Sequence, residues 1–369
     1  MTSGPAAGGA DRGTLQTQPE LQEAPAMRVA LIAPPWIPVP PPRYGGTELV
    51  VDALARGLAV AGHHVLLATT GDSTCPVQRT WVYDHARSAE MGDTAIELTH
   101  VLHAYHAVRD VDVIHDHTVA GPALGSLRSP APVVTTNHVP FTEDVRRFYR
   151  ALEDRVPIVA ISHHHASTAG DVPVARIIHH GIDQSRYPVG PGGDYLAFDG
   201  RISPDKGVRQ AIEIAQRAGV PLTIAAKMRE PREHEYYRTE VEPLLSADIR
   251  YLGEVDRPDK LALVGGALAL LNPIQWDEPF GLNMVEALAC GTPVITTPRG
   301  AAPEIVDDGA TGFLTSGIEE AVAAVAWAAT LDRRACRAAV EARFSARRMV
   351  ADYLAFYRDV VTGRSRDAA

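Results

Sequence analysis

The pattern of this chain is an alternation of short apolar segments and helical segments that breaks once and then resumes. MRVALIAPP, HVLLATTG, VDVIHDH, PVVTTNH and RVPIVAIS read as strands, and TELVVDALARGLAVAGH and TAIELTHVLHAYHAV carry apolar residues at helical spacing. Thr47 is the expected N-cap of the first of these helices. Strands this short and this apolar belong to a parallel sheet covered by helices on both faces. At YPVGPGGDY the pattern stops on Pro and Gly, as in an interdomain linker. It restarts with YLAFDG, GVRQAIEIAQRAG, PLTIAAK, IRYLGEV, DKLALVGGA and LALLNPI, and continues through TPVITT and IEEAVAAVAWAATL. A last helix is expected from near Ser345, with Val350, Tyr353, Tyr357 and Val361 on one core-facing stripe.

The expected fold class is therefore α/β, with two Rossmann-like doubly wound domains in tandem. A chain of 369 residues is too long for one ordinary core and suits two domains of roughly 150 residues each. The expected division is a disordered tail over residues 1–26, an N-terminal domain over 27–187, a C-terminal domain over 188–343, and a terminal helix with its own tail over 344–369. Two such sheets leave a cleft between the carboxyl ends of their strands, where ligands of this architecture bind.

Charge and composition narrow the function. A net charge of −10 excludes sequence-independent binding to nucleic acid, which needs a basic surface, and disfavours docking on anionic lipid. The first residues have no apolar core segment and so do not form a signal peptide. No apolar run approaches the ~18 residues of a membrane span. The three cysteines, Cys75, Cys290 and Cys336, are too few and too scattered for a disulfide framework or a CxxC metal site. A soluble, cytoplasmic protein is expected, of undefined oligomeric state. Lysine is scarce: of 35 cationic residues only Lys206, Lys227 and Lys260 are lysines, which singles out those three positions.

The segment WDEPFGLNMVEALACGTPVITT sets Glu278 and Glu286 eight positions apart. A helix is expected to begin near Gly281 and to stop at Gly291, with Pro293 following. The free N–H groups and positive dipole end at Gly281 and Leu282 make an anion seat, and Gly281 lets a phosphate approach the backbone. A carboxylate is repelled by phosphate. The two acids therefore flank the seat and accept hydrogen bonds from hydroxyls on either side, Glu278 from a transferred sugar and Glu286 from a ribose. The buried tone of LNMVEALAC weighs against two merely exposed acids. DGRISPDKG puts Arg201 and Lys206 on a turn between strand and helix, where two cations neutralise a diphosphate leaving group; alone, it would read as a solvated loop. YGGTE offers Gly45 and Gly46 as backbone donors from the opposite domain, a weak signal by itself. It is not a GxGxxG, which leaves a dinucleotide oxidoreductase unsupported. His138 ends a strand, where both a ligand contact and a structural role are open. IHDH and the run His163–His165 lack helical pairing or matched carboxylates, and no metal is expected there. Ser162 lacks the GxSxG context of a nucleophile.

Taken together, RYGGTE, TTNH, GRISPDKG and EPFGLNMVEALACGTPVI with GAAPEIVDDGATGFL resemble the family 4 retaining glycosyltransferases of GT-B fold, over about residues 27 to 358. The E-x7-E motif from Glu278 to Glu286 is the centre of the likeness. The resemblance implies an N-terminal acceptor domain, a C-terminal donor domain and a final helix that crosses back. It implies that Glu278 holds donor-sugar hydroxyls, Glu286 the ribose, and Arg201, Lys206 and the N–H groups at Gly281 and Leu282 the diphosphate. His138 then lies near the donor sugar, and Gly45 and Gly46 form the N-domain glycine loop. No metal is implied, since cationic side chains and a helix terminus replace it, and the nucleoside-diphosphate sugar, with UDP the commoner base, is a co-substrate and not a cofactor. The acidic surface favours a small soluble acceptor. Two departures stand out: Val139 follows His138 in place of Gly, and HHGID (His179–Asp183) replaces the more usual Asn-Gly-Ile-Asp. Both fall toward the acceptor or hinge side. Rival readings are a sugar-nucleotide epimerase or phosphorylase, and an inactive sugar-nucleotide binder, on the same fold.

Overall fold

The computed structural model describes residues 25–129, 131–152 and 155–363. Residues 1–24 of the expected N-terminal tail, and 364–369 at the other end, lie outside them. The first sheet contains β1 (Arg28–Ile32), β2 (His64–Ala68), β3 (Gln78–Thr80), β4 (Val113–Asp116), β5 (Val133–Thr136), β6 (Ile158–Ala160) and β7 (Val174–Ile177). The second contains β8 (Leu196–Arg201), β9 (Leu222–Lys227), β10 (Ile249–Gly253), β11 (Ala269–Asn272), β12 (Val294–Thr296) and β13 (Gly312–Leu314). Their spatial orders are β3-β2-β1-β4-β5-β6-β7 and β10-β9-β8-β11-β12-β13. Every pairing is parallel, including β1 with β2 and β4, and β8 with β9 and β11. These are two doubly wound sheets. Each reverses direction once, between β1 and β4 in the first and between β8 and β11 in the second, and that is where such sheets bind ligands.

The central strands show why the apolar segments were legible. Every residue of β4, β5, β6, β9, β11 and β12 is buried, as helices on both faces require. The first helix spans Gly46–Val60 and its N-cap is Gly45, not Thr47. Gly45 is the last extended residue, which leaves Thr47 inside the first turn without a capping bond. The Pro/Gly linker does not hang free. Gly190 N–H donates to Cys290 O, Gly192 N–H to Gly265 O, and Arg333 holds the Gly190 carbonyl.

The last helix, Ala346–Val361, starts where Ser345 Oγ accepts from Arg348 N–H. Its Met349, Val350, Tyr353, Leu354, Phe356 and Tyr357 are buried with Val50, Leu54 and Leu58 of the first helix, so the chain ends on the domain in which it began. The Tyr353 hydroxyl meets Thr136 Oγ1 at 2.8 Å and the Tyr357 hydroxyl meets His115 Nδ1 at 2.7 Å. Val361, at the end of the expected stripe, is exposed. No helix among the described residues is long and apolar enough to cross a membrane.

Candidate active site

A cavity of about 270 Å³ lies between the two sheets, and all nine expected site residues line it: Gly45, Gly46, His138, Arg201, Lys206, Glu278, Gly281, Leu282 and Glu286. The first domain contributes the loop that follows β1, ending in Tyr44, Gly45 and Gly46, and His138 just beyond β5. The second contributes the ends of β8 and β11 and the helix Leu282–Ala289. Both reversal points therefore open onto the same space. The two helix N-termini, at Gly46 and Leu282, also meet there; a Cβ on Gly46 would come within 3.3 Å of Leu282 Cδ1. Their first N–H groups have no intrahelical acceptor, and their dipoles add positive potential at the same point.

Glu278 sits on the loop that leaves β11. Its Oε1 accepts from Lys206 Nζ at 2.5 Å, while its Oε2 is buried without a partner. The indole N–H of neighbouring Trp276 is likewise buried and unpaired, and Lys206 Nζ lies 5.5 Å from the centre of that ring. Burial, the largest single effect, pushes the Lys206 ammonium down, but the charge and hydrogen bond of Glu278 together with Tyr44 outweigh it and hold the group above its ordinary value. Two contacts fix the loop. Ala301 N–H donates to Glu278 O, and Ser162 Oγ reaches across from the first domain to Pro279 O at 2.7 Å.

Glu286 lies one turn into its helix, whose N-cap Gly281 has φ +106°. It accepts from Lys260 Nζ at 2.6 Å and from the Tyr187 hydroxyl at 2.9 Å, with Arg257 at 3.9 Å. Burial disfavours the charged Lys260, and Glu286 together with Asp199 more than reverses that. Asn283 bridges the strands behind, donating to Asp199 O and Asn272 Oδ1. Arg201 is held by Glu233 and Asp205, each at 3.1 Å. Each acid of the pair is thus matched with a lysine, Glu278 with Lys206 and Glu286 with Lys260.

His138 is half-buried at the cavity wall. Its Nε2 is 2.9 Å from His117 Nδ1, and its ring stacks on that of His180 with centroids 5.2 Å apart. Burial, with a smaller effect of His165, holds its imidazole down at about 3, so it is neutral near pH 7. His180 comes from the HHGID departure and also faces the cavity, with Nδ1 unpaired.

Sequence reasoning did not place Tyr44, Asp199, Arg257, Lys260, Trp276 or His180 here. Only Lys260 carried a signal, the scarcity of lysine. One metal-capable group exists among the described residues: His163, His179 and Glu304, with ligand atoms within 4.8 Å of one another. It lies outside the cavity, and Glu304 there already accepts from His179 Nε2 and from the backbone N–H groups of His163 and His164.

Two family models match successive parts of the chain: Glycosyltransferase Family 4 over residues 44–186 and Glycosyl transferases group 1 over residues 184–343. A glycogen synthase of Mycobacterium tuberculosis is 32% identical over 194 residues, 48% of this chain and 44% of the relative. A D-inositol 3-phosphate glycosyltransferase of Mycobacterium avium is 28% identical over 241 residues, 60% of this chain and 53% of the relative. The chain thus spans about half the length of these curated relatives. Among solved structures, a glycosyltransferase involved in avilamycin A biosynthesis superposes with TM-score 0.67 and 27% identity, covering 91% of this chain and 98% of that one. Sucrose-phosphate synthase of Thermosynechococcus elongatus reaches TM-score 0.74 at 22% identity over 91% and 100%, a likeness of fold alone.

Proposed function

Because the chain belongs to glycosyltransferase family 4, we propose that it moves a hexose from a nucleoside-diphosphate sugar, with UDP the favoured base, to a hydroxyl of a small soluble acceptor, with retention at the anomeric carbon. The observation that carries this reading is the cavity itself. Two helix N-termini and three cations, Arg201, Lys206 and Lys260, converge where Glu278 Oε2 and the Trp276 N–H have no partner. Positive charge suits a diphosphate, and the unpaired polar atoms suit sugar hydroxyls.

In the reaction, the bond from the anomeric carbon to the β-phosphate oxygen breaks and its electron pair goes to the phosphate. The acceptor oxygen adds to the same face, and its proton passes to the departing phosphate. Arg201, Lys206 and the N–H groups at Gly281 and Leu282 stabilise the charge that develops on that phosphate. They supply positive charge of the kind a metal ion would otherwise bring, so we assign no metal. Glu278 orients the hexose, Glu286 the ribose, and neutral His138 offers a hydrogen bond to the sugar without adding charge. The small soluble acceptor is favoured by the acidic surface and by relatives that act on an inositol phosphate or take part in avilamycin A biosynthesis. We place the protein in the cytoplasm, in keeping with three free, buried cysteines.

Turnover of UDP-, GDP-, ADP- and dTDP-hexoses, followed as sugar transfer or slow donor hydrolysis, tests this reading. One donor should be consumed, with Lys206→Ala slower by about 10²–10³ and Glu278→Gln also impaired. Near wild-type rates for both variants would remove the assignment.

A further inference from the structure

Lys206 and Lys260 line the cavity, each neutralised by an acid, and Lys227 lies beside it behind Tyr44. Lys206 has Glu278, and Lys260 has Glu286 with Asp199 at 3.7 Å. Lys227 has no such partner. It ends β9, paired in register with Arg201 at the end of β8, and is 8% exposed. Among the described residues no hydrogen bond or ion pair reaches its ammonium. Instead Nζ lies 3.6 Å from the ring centre of Tyr44, a residue of the opposite domain. A ring face compensates a desolvated ammonium far less well than an anion does.

The neighbouring charges do not complete it. Arg229 and Arg201 repel it, and the acids that act on it are Glu254, Glu233 and Glu48. Glu233 is taken by Arg201 and by the N–H groups of Arg229 and Glu230, and Glu254 faces Arg43 at 4.0 Å. Burial pushes the Glu48 carboxyl toward its neutral form. Tyr44 in turn is half-buried in the site, where its phenol feels Lys206, Glu278, Asp199 and Arg201.

We propose that Lys227 is a further cation of the donor seat, a ligand for the diphosphate beside Arg201 and Lys206, and that Tyr44 covers it until that anion arrives. The inference rests on the nucleotide-sugar reading above. Donor entry exchanges the ring face for phosphate oxygens, and Tyr44 withdraws with its loop. The ammonium is held down, by burial first and then by Arg229, at about 8, and an anion at 3 Å or so raises it. Binding at alkaline pH therefore draws in a proton at Lys227.

Calorimetric titration of inorganic pyrophosphate into the full chain tests this. Lys227→Met should weaken binding about tenfold, Lys227→Arg should stay near wild type, and Tyr44→Ala should bind more tightly. Near pH 9 the wild type should take up more protons on binding than Lys227→Met, a difference that mere packing would not produce. Wild-type affinity and proton uptake in Lys227→Met would overturn the proposal. So would an equal loss in the Arg variant, or unchanged binding in Tyr44→Ala. If the wild type binds neither pyrophosphate nor any nucleoside diphosphate, the nucleotide-sugar reading fails first and takes this inference with it.

Discussion

Two glutamates near the domain boundary, Glu278 and Glu48, illustrate what burial does to a carboxyl group with and without a lysine partner. Glu278 accepts from Lys206 through Oε1 and leaves Oε2 buried and unpaired, a cost of about 1–3 kcal/mol that a bound hydroxyl relieves. Glu48, in the first turn of the helix Gly46–Val60, has no lysine in contact. Burial pushes its carboxyl from 4.5 up to about 7, against smaller opposing effects of its own N–H, Lys227 and Arg229. The unfolded chain loses this proton at lower pH than the folded one does. Between roughly pH 4.5 and 7 the folded state holds more protons, so stability falls as pH rises through that window. Glu48→Gln should therefore raise the melting temperature near pH 8 and change it little near pH 4.5. Thermal unfolding at the two pH values checks this, and an equal effect at both would contradict it.

Among the elements, the helix Leu282–Ala289 and the loop before it position the chemistry, and a neighbouring turn holds that loop. Gly300, at φ +57°, packs so closely that a Cβ would lie 2.3 Å from both the N and O of Glu278. Gly300→Ala adds left-handed strain of order 1–3 kcal/mol and drives the Glu278 backbone from the cavity wall. Gly309, at φ +73°, has nothing within 4 Å of such a Cβ and carries the strain alone. Turnover of Gly300→Ala should fall more than that of Gly309→Ala, and its melting temperature should fall further too, because the clash adds to the strain. Equal activity in the two would show that the turn does not position Glu278. Element by element, the alternating pattern revealed the central strands and missed β3, β7 and β13, all of which lie at sheet edges. Their residues are partly exposed, and none has the unbroken burial that writes an apolar run into a sequence. The helix Glu143–Arg150 was missed for the same reason, since only Tyr149 of it is buried and its face is charged.

At the scale of the molecule, the seat exists only when both domains are present. The first domain brings Tyr44, Gly45, Gly46 and His138, the second everything from Asp199 to Glu286, and the final helix binds the chain back to where it started. Glu304 adds a tie, accepting from the N–H groups of His163 and His164 at 2.8 and 2.7 Å across the boundary. The residues legible in the sequence were those whose neighbours in the chain announce them: two acids around a helix start, two cations on a turn, two glycines before a helix. The partners that complete them were not. Lys260 on Glu286, Tyr187 on the same carboxylate and Tyr44 over Lys227 are separated by 26, 99 and, by number, from 44 to 227 along the chain, and no local pattern records such pairings. The central claim is that this shared cavity seats a nucleoside-diphosphate sugar between the two sheets, and thermal unfolding with UDP-, GDP-, ADP- and dTDP-hexoses tests it most directly. One of the four, at about 100 times its dissociation constant, should stabilise the wild type by about 2.7 kcal/mol, raise its melting temperature by several degrees, and lose that effect in Lys206→Ala. No shift with any of them, or the same shift in Lys206→Ala as in the wild type, would contradict the account.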